Sequence, residues 1–287
     1  YTLLAFFFFC CFVYVLAAQR SLPLSIRRHR QRGIRDSVYK GLNNPKGVSD
    51  FGAHDDTSLA YAKDNNFYYI PNQAFELPDT LLEEPPLGGE KHPDLIDPYH
   101  EFPAKWTGNG SRLAKPNQDD RDETVKVNYG VKPDGSKDFA TLPEEYRFNS
   151  ANEHLEFWSD KQVPDSWIKF RDIALYWLEQ GVDGFRYDMA EMVPVEFWSF
   201  MNSSIKNANP DAFLMAEVYQ PDLYRDYIQL GKMDYLYDKV DLYDSLKEVI
   251  QDKGSTREIG RIQHKLRDIE HHMLHFLDNH DEQRVAS

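Results

Sequence analysis

Three acidic residues, Asp188, Glu217 and Asp281, each stand at or just after the C-terminal end of a stretch that reads as a β-strand. The first two are 29 positions apart and the last two 64, which amounts to one and two βα units at about thirty residues per unit. Parallel strands connected in this way point their carboxyl ends to one side of the sheet, so all three acids are expected at a common mouth. Carboxylates converging there suit a definite chemistry. One attacks an anomeric carbon or stabilises its charge, while another protonates the leaving oxygen. Like charges held close together raise at least one pKa, which keeps an acid protonated near neutral pH. Arg186 lies two residues before Asp188 and shares its strand face, where it can hold Asp188 ionised and oriented. A lone acid at a strand end is explained by capping or by a helix N-terminus; three at unit spacing favour a site.

The elements that position these residues follow from periodicity. Trp167, Phe170, Ile173, Ala174, Trp177 and Leu178 recur at helical spacing behind an Asp165 or Ser166 cap, with Gly181 ending the helix. VDGFRYD (182–188) is short and bounded like a buried strand. Pro194 opens a helix through Phe197, Trp198, Met201 and Ile205, and AFLMAEV (212–218) is the next strand. A short helix around 222–230 precedes the strand MDYLYD (233–238), and a longer helical region between 242 and 271 leads into MLHFLDNHD (273–281). Strands alternating with helices indicate parallel βαβ units, hence an α/β barrel or a doubly wound sheet. In a barrel, the mouth at the strands' carboxyl ends is where catalytic residues lie.

Upstream the pattern is different. From about Asn43 to Val125 the chain is rich in Pro, Asp, Asn and Gly, with PDTLLEEPPLGGEKHPDLIDP at its centre and no sustained period, which reads as a loop-rich insertion. TVKVNYGV (124–131) alternates well enough for a strand, and a loop is expected from there to Asp165. The first forty residues differ again. Leu3 to Ala18 is an unbroken apolar run, and RSLPLSIRRHRQRGIR after it holds six Arg and no Lys. That run reads as the h-region of a secretory signal peptide, which implies a secreted or exported protein; a signal anchor or a mis-framed gene segment are the competing readings. The domain organisation is therefore a leader with an Arg-rich segment at 1–40, a loop-rich insertion at 41–125 and a catalytic α/β region at 126–287.

Composition narrows the function. The chain has 287 residues, 41% hydrophobic and 14% aromatic, with 47 acidic against 33 basic side chains and a net charge of −14. That is enough apolar content for a sizeable core, and the acidity disfavours a nucleic-acid partner. Both cysteines, Cys10 and Cys11, lie in the leader, so no disulfide framework or cysteine metal site is expected in the body. His271, His272 and His275 form an HHxxH cluster that could bind zinc from one helix face, although the stretch reads as a helix running into a strand. Trp106 and Trp158 could stack on sugar rings, with packing the plainer reading. Asn109-Gly-Ser and Asn202-Ser-Ser fit the glycosylation sequon. There is no phosphate-cradling glycine loop, nucleophile-elbow serine or HExxH motif.

GVDGFRYDMAEMVP, LMAEVYQP and HFLDNHDEQRVAS, in that order, resemble the second, third and fourth signature regions of the alpha-amylase family of glycoside hydrolases. The resemblance covers roughly 44–287 and is strongest from Trp167 onward. It implies a (β/α)8 TIM barrel and a retaining mechanism on alpha-linked glucosides, in which Asp188 matches the nucleophile, Arg186 the arginine of the same strand and Glu217 the general acid/base. By the same resemblance Asp281 is the third carboxylate, which holds the sugar through its hydroxyls, and His280 a hydrogen-bond donor in the transition state. Retention requires Asp188 and Glu217 to lie about 5 to 5.5 Å apart. The irregular stretch resembles the family's insertion domain, with NYG (128–130) where it returns to the barrel.

Departures from the family pattern shape the rest of the expectation. The family's first signature, an Asp-containing strand ending in Asn-His, does not precede NNPKGVSDFG, so the first barrel strands, a substrate-binding histidine and a calcium-binding asparagine are expected to be missing. An eighth strand and the C-terminal β-domain are likewise expected to be missing, and a partial barrel leaves strand edges unpaired. Many starch-cleaving members carry Lys-His where this chain has Glu191 and Met192, which weakens a standard amylase subsite and any need for calcium; no cofactor is expected. The expected partner is an alpha-glucan or a small alpha-glucoside, with no firm membrane association and the oligomeric state left open. A noncatalytic carbohydrate-binding or partner-binding protein that retains the barrel motifs is the alternative.

Overall fold

The computed structural model describes residues 4–8, 12–14, 51–76, 100–117, 119–120, 124–279 and 281–282. The Arg-rich segment, the centre of the irregular stretch and His280 lie outside them. In chain order the strands are β1 (Leu4–Phe8), β2 (Phe12–Tyr14), β3 (Tyr69–Ile70), β4 (Ala104–Lys105), β5 (Gly184–Asp188), β6 (Phe213–Ala216), β7 (Tyr235–Tyr237) and β8 (Met273–Leu274). The α-helices are α1 (Ala151–Ser159), α2 (Asp165–Glu179), α3 (Val195–Ala208), α4 (Asp244–Ile250) and α5 (Thr256–Leu266). Strands β1 and β2 pair antiparallel with Phe6 opposite Tyr14. No helix among the described residues is long and apolar enough to cross a membrane.

The chain divides into two compact units, one formed chiefly by Thr141–Asp160 with Gly181–Ser287 and the other by Ala5–Ala140 with Lys161–Gln180. The first is built on four parallel strands in the order β5-β6-β7-β8. Register places Gly184 beside Phe213 and Tyr187 beside Ala216, then Ala216 beside Leu236 and Tyr237 beside Leu274. The strands are so close at Gly184 that a Cβ there would lie 2.1 Å from the Phe213 carbonyl oxygen, so only glycine fits. Phe185 and Tyr187 point to one face and are fully buried. There Tyr187 meets Trp198 of α3, ring centroids 4.5 Å apart, and donates to Asn202 at 2.8 Å. Helix α3 starts after Pro194 and buries Phe197, Trp198, Met201 and Ile205, one stripe at helical spacing.

Several expectations change in this unit. The stretch expected to loop as far as Asp165 contains α1, announced by a capping box in which the Ser150 side chain accepts from Glu153 and the Glu153 carboxylate accepts from the Ser150 N–H. Helix α1 packs on α3, with buried His154 and Trp158 both reaching Ser199 Oγ, at 2.7 and 2.8 Å. Where one helix was expected at 222–230 there is a 3-10 turn, Pro221–Leu223, followed by a π turn, Asp226–Leu230. The strand expected over 273–281 shrinks to β8, because beyond Leu274 the aromatic Phe276 packs on Tyr243 and Tyr237 instead of extending the ladder. Asn202 is no glycosylation site: it is fully buried, its amide donating to the Gly231 carbonyl. The observed sheet is open, so the structure shows parallel α/β layering and not a closed barrel.

The second unit is loop-rich around the short β3/β4 pair, with Tyr68 stacked on Trp106 at 4.6 Å and Ile70, Phe75 and Ala104 beside them. The expected strand TVKVNYGV forms isolated bridges, Val127 to Phe67 and Val125 to Thr107, because its backbone pairs with two different segments in turn, the Lys126 N–H donating to the Trp106 carbonyl and the Asn128 N–H to the Asn66 carbonyl. Asn128 donates to the carbonyls of Ala62 and Asn65 and accepts from the Gly130 N–H. Gly130 has φ +80°, and a Cβ would lie 2.6 Å from Pro164. Helix α2 is capped by Pro164 and not by Asp165 or Ser166; the Ser166 hydroxyl donates to the Asn128 carbonyl instead. Trp106 is buried, donating to the Tyr69 carbonyl, and with Trp158 it is a packing residue.

Candidate active site

The local fold explains how two of the expected acids meet. Arg186 and Asp188 lie on the face of β5 opposite Phe185 and Tyr187, by the two-residue period of a strand. After Asp188 the chain turns through Met189, whose φ of 48° is left-handed, and the ladder continues as the Glu217 N–H donates to the Tyr187 carbonyl at 3.0 Å. The Ala190 N–H donates back to the Glu217 carbonyl, also at 3.0 Å. Glu217 therefore begins one residue beyond β6, level with the end of β5.

Between the two acids lies Arg186, 1% exposed. One arm of its guanidinium donates to Asp188 Oδ1 at 2.5 Å and the other donates to Glu217 Oε1. The planar fork suits two carboxylates in one plane, and the Tyr237 ring lies beneath it, 5.6 Å from the guanidinium carbon to the ring centroid. The second Glu217 oxygen accepts from the Met189 N–H at 3.3 Å. Asp188 is within hydrogen-bonding reach of Glu217, closer than the separation of about 5 to 5.5 Å expected of a retaining pair, because the Arg186 fork draws the two carboxyls together. One cation buried with two carboxylates leaves one charge in excess, so the more deeply buried acid holds a proton. Burial first, then the hydrogen bond and charge of Asp188, push Glu217 up to about 8 against the pull of Arg186.

The remaining expected residues are placed less tightly. Asp281 is exposed in the turn after β8, its N–H donating to Asn279 Oδ1 at 2.9 Å, and its charge reaches Tyr219. That hydroxyl is held well above its ordinary range by burial, then by Glu217 and Asp281. His280 lies outside the described residues. Among the described residues no group of three His, Cys, Asp or Glu side chains is placed to hold a metal ion. Of the HHxxH histidines, His271 and His272 have ring centroids 4.1 Å apart, while His272 Nδ1 bonds the Asp234 carbonyl at 2.8 Å and His275 Nε2 is 3.5 Å from Asp238.

Sequence reasoning overlooked three site-side groups. Tyr237, in MDYLYD, lies under Arg186. Tyr219 follows Glu217 by two positions, which was the available signal. The third is Asp238, a further acid at a strand's carboxyl end; it is buried, and it caps the turn Lys239–Tyr243 by accepting from the Leu242 N–H at 3.1 Å.

Residues 146–287 match the sequence family described as alpha amylase, catalytic domain. Through this segment, just under half of its length, the chain is similar to the alpha-amylase family. An alpha-1,4-glucan:maltose-1-phosphate maltosyltransferase from Cereibacter sphaeroides is 32% identical over 105 residues, which are 36% of this chain and 17% of that protein. Neopullulanase 2 from Thermoactinomyces vulgaris is 42% identical over 48 residues, 17% of this chain and 8% of that one. Among solved structures, an alpha-amylase from Lactobacillus plantarum aligns at 24% identity with a TM-score of 0.36, covering 49% of this chain and 38% of that one. The matched stretches thus span less than a fifth of the length of these two alpha-amylase-family sequence relatives. Arg186, Asp188 and Glu217 all fall inside the segment that carries the family match.

Proposed function

We propose that this chain carries the retaining centre of an alpha-amylase-family enzyme that cleaves or transfers alpha-glucosidic bonds, with alpha-1,4-glucans or maltooligosaccharides as substrates. The observation that carries this reading is the Arg186 fork, which joins Asp188 and Glu217 at the ends of adjacent parallel strands. One relative named above is by name an alpha-1,4-glucan:maltose-1-phosphate maltosyltransferase, which supports the substrate class.

The two carboxyls differ as double displacement needs. Glu217, raised to about 8, is a carboxylic acid at neutral pH. Asp188 Oδ1 accepts from the Arg186 guanidinium, which orients it for attack. An Asp188 oxygen attacks the anomeric carbon while the bond to the leaving oxygen breaks, and the Glu217 proton passes to that oxygen. A water or a sugar hydroxyl then attacks the same carbon, gives its proton to the Glu217 carboxylate and releases Asp188. Asp281, exposed and within electrostatic reach of Tyr219, is the proposed sugar-hydroxyl ligand, and His280, next to it in the chain, the proposed donor.

The test is Asp188→Asn in the full chain, assayed on maltose, maltooligosaccharides and soluble starch. Turnover should vanish while sugar binding, followed by calorimetry, persists. Wild-type turnover in that variant rules the assignment out. Binding without turnover in the unsubstituted chain supports the noncatalytic alternative.

A further inference from the structure

Glu191 has a contact pattern that the reaction as written does not use. It lies in the 3-10 turn Ala190–Met192, three residues after Asp188. Its Oε2 accepts two backbone hydrogen bonds, from the N–H of Tyr219 at 2.8 Å and of Gln220 at 3.0 Å. These are the second and third residues after Glu217. The turn that carries Glu191 is itself fixed from other directions. Tyr227 Oη donates to the Val193 carbonyl at 2.8 Å and to the Glu191 carbonyl at 3.1 Å, and Trp198 Nε1 donates to the Ala190 carbonyl at 3.0 Å. A carboxylate receiving two N–H groups makes charge-assisted bonds, stronger than neutral ones. A rigid turn after one strand therefore grips the loop after its neighbour.

What that grip controls is the segment from Glu217 to Gln220. Val218 is fully buried, so this segment leaves β6 with one end already packed. Tyr219, next in line, is half-buried and stands within electrostatic reach of Glu217, Asp281, Arg186 and Asp188. If the loop shifts, Tyr219 moves relative to Glu217, and Glu217, 3% exposed at the start of this segment, shifts with it toward water.

We infer that Glu191 is a positioning residue for the proposed reaction, tying the loop after Glu217 through its Oε2 so that the acid and Tyr219 keep their places beside Asp188. The inference rests on the reading of Glu217 as general acid. Loss of the tie displaces reacting groups by a fraction of an ångström to an ångström, for which a rate loss on the order of 100-fold is expected. It also admits water to Glu217, and since burial is what raises this acid, the basic limb of the rate profile moves to lower pH.

Two variants of the full chain test this. Glu191→Ala should lower kcat by about 100-fold, shift the basic limb of kcat/KM to lower pH and speed hydrogen exchange at the Tyr219 and Gln220 amides. Glu191→Gln keeps an acceptor oxygen and should restore most of the rate, the basic limb and the amide protection. A Glu191→Ala protein with wild-type kcat and pH profile overturns the inference even if its Tm falls, because a purely structural role would do no more than that. Equal damage in both variants overturns it as well, since charge and not the tie would then matter. The exchange measurement needs no turnover: unaltered protection of both amides in Glu191→Ala overturns the tie by itself. No turnover in the unsubstituted chain, by contrast, overturns the reading of Glu217 and with it the catalytic part of the inference.

Discussion

Glu217 and Asp238 occupy corresponding places in the fold. Each begins one residue past the end of a strand, β6 or β7, and the strands are neighbours. Each is almost fully buried, 3% and 1% exposed, and burial raises both. Their partners differ. Glu217 faces a guanidinium and a second carboxylate, whereas Asp238 accepts from the backbone N–H of Leu242 and has His275 at 3.5 Å. A carboxylate that caps a turn has its lone pairs committed to holding the backbone. One that shares a cation with another acid keeps a proton that can be passed on. Position at the carboxyl end of a parallel sheet is therefore common to both, and the partners decide which acid can do chemistry.

The largest expected effect comes from removing the shared cation. Arg186→Ala leaves the buried Glu217 and the partly buried Asp188 without their partner, for which a loss of about 3 to 5 kcal/mol of stability is expected, together with loss of turnover. Denaturant unfolding and an assay on maltooligosaccharides measure the two. An Arg186→Ala protein of unchanged stability would mean that the fork is not the buried pair described above, and the contrast with Asp238 would collapse.

Glu217→Gln sharpens the contrast by chemistry. The amide has no proton to give, so turnover of natural glucosides should fall by about 10²- to 10⁴-fold. Substrates whose leaving group needs no protonation, such as a glucosyl fluoride, should lose much less in the first step. In the unsubstituted protein kcat/KM should decline as pH rises through about 8, where Glu217 gives up its proton. A uniform loss on both substrate types would remove Glu217 from the acid role.

The parts of this arrangement that were legible in the sequence are those set by local periodicity. Asp188 and Glu217 are one βα unit apart, and Arg186 shares a face with Asp188 by a spacing of two, so strand geometry alone relates them. Helix α3 was readable from Phe197, Trp198, Met201 and Ile205 for the same reason. Helix α1 carried a readable signal in the Ser150 and Glu153 cap, with Ala151, Leu155 and Trp158 at helical spacing behind it, overlooked because the helix is only nine residues long. Asp238 and Glu191 were not legible as capping and tying groups, since their partners are backbone N–H groups, which have no residue type. Asn202 misled in the opposite way: its tripeptide reads as an exposed acceptor, yet it lies on the same helix as the buried stripe and meets Tyr187.

His154 extends the same criterion to a different group. It is buried between the Ser199 hydroxyl and the Tyr146 carbonyl, partners that hold structure, and burial lowers it to about 4 from an ordinary 6.5. Between those values the unfolded chain binds a proton that the folded protein refuses, so its contribution to stability is complete above about 6.5 and declines as pH falls toward 4. The full decline is about 3 kcal/mol as an upper bound. Melting temperature against pH checks this, and His154→Gln should flatten that slope without altering turnover at pH 7.

The smallest effect is expected at Asp238 itself, and it bears most directly on the contrast. Asp238→Asn keeps an oxygen that can accept from the Leu242 N–H, so stability should change little. Asp238→Ala loses the cap and should cost about 1 kcal/mol. In both variants kcat per folded molecule should stay close to wild type, because the proton of the proposed reaction resides on Glu217. If Asp238→Asn instead lowered kcat as far as Glu217→Gln does, at unchanged melting temperature, a second strand-end acid would take part in the chemistry. The rule that partners and not position select the reacting carboxylate would then fail in the one fold where both kinds stand side by side.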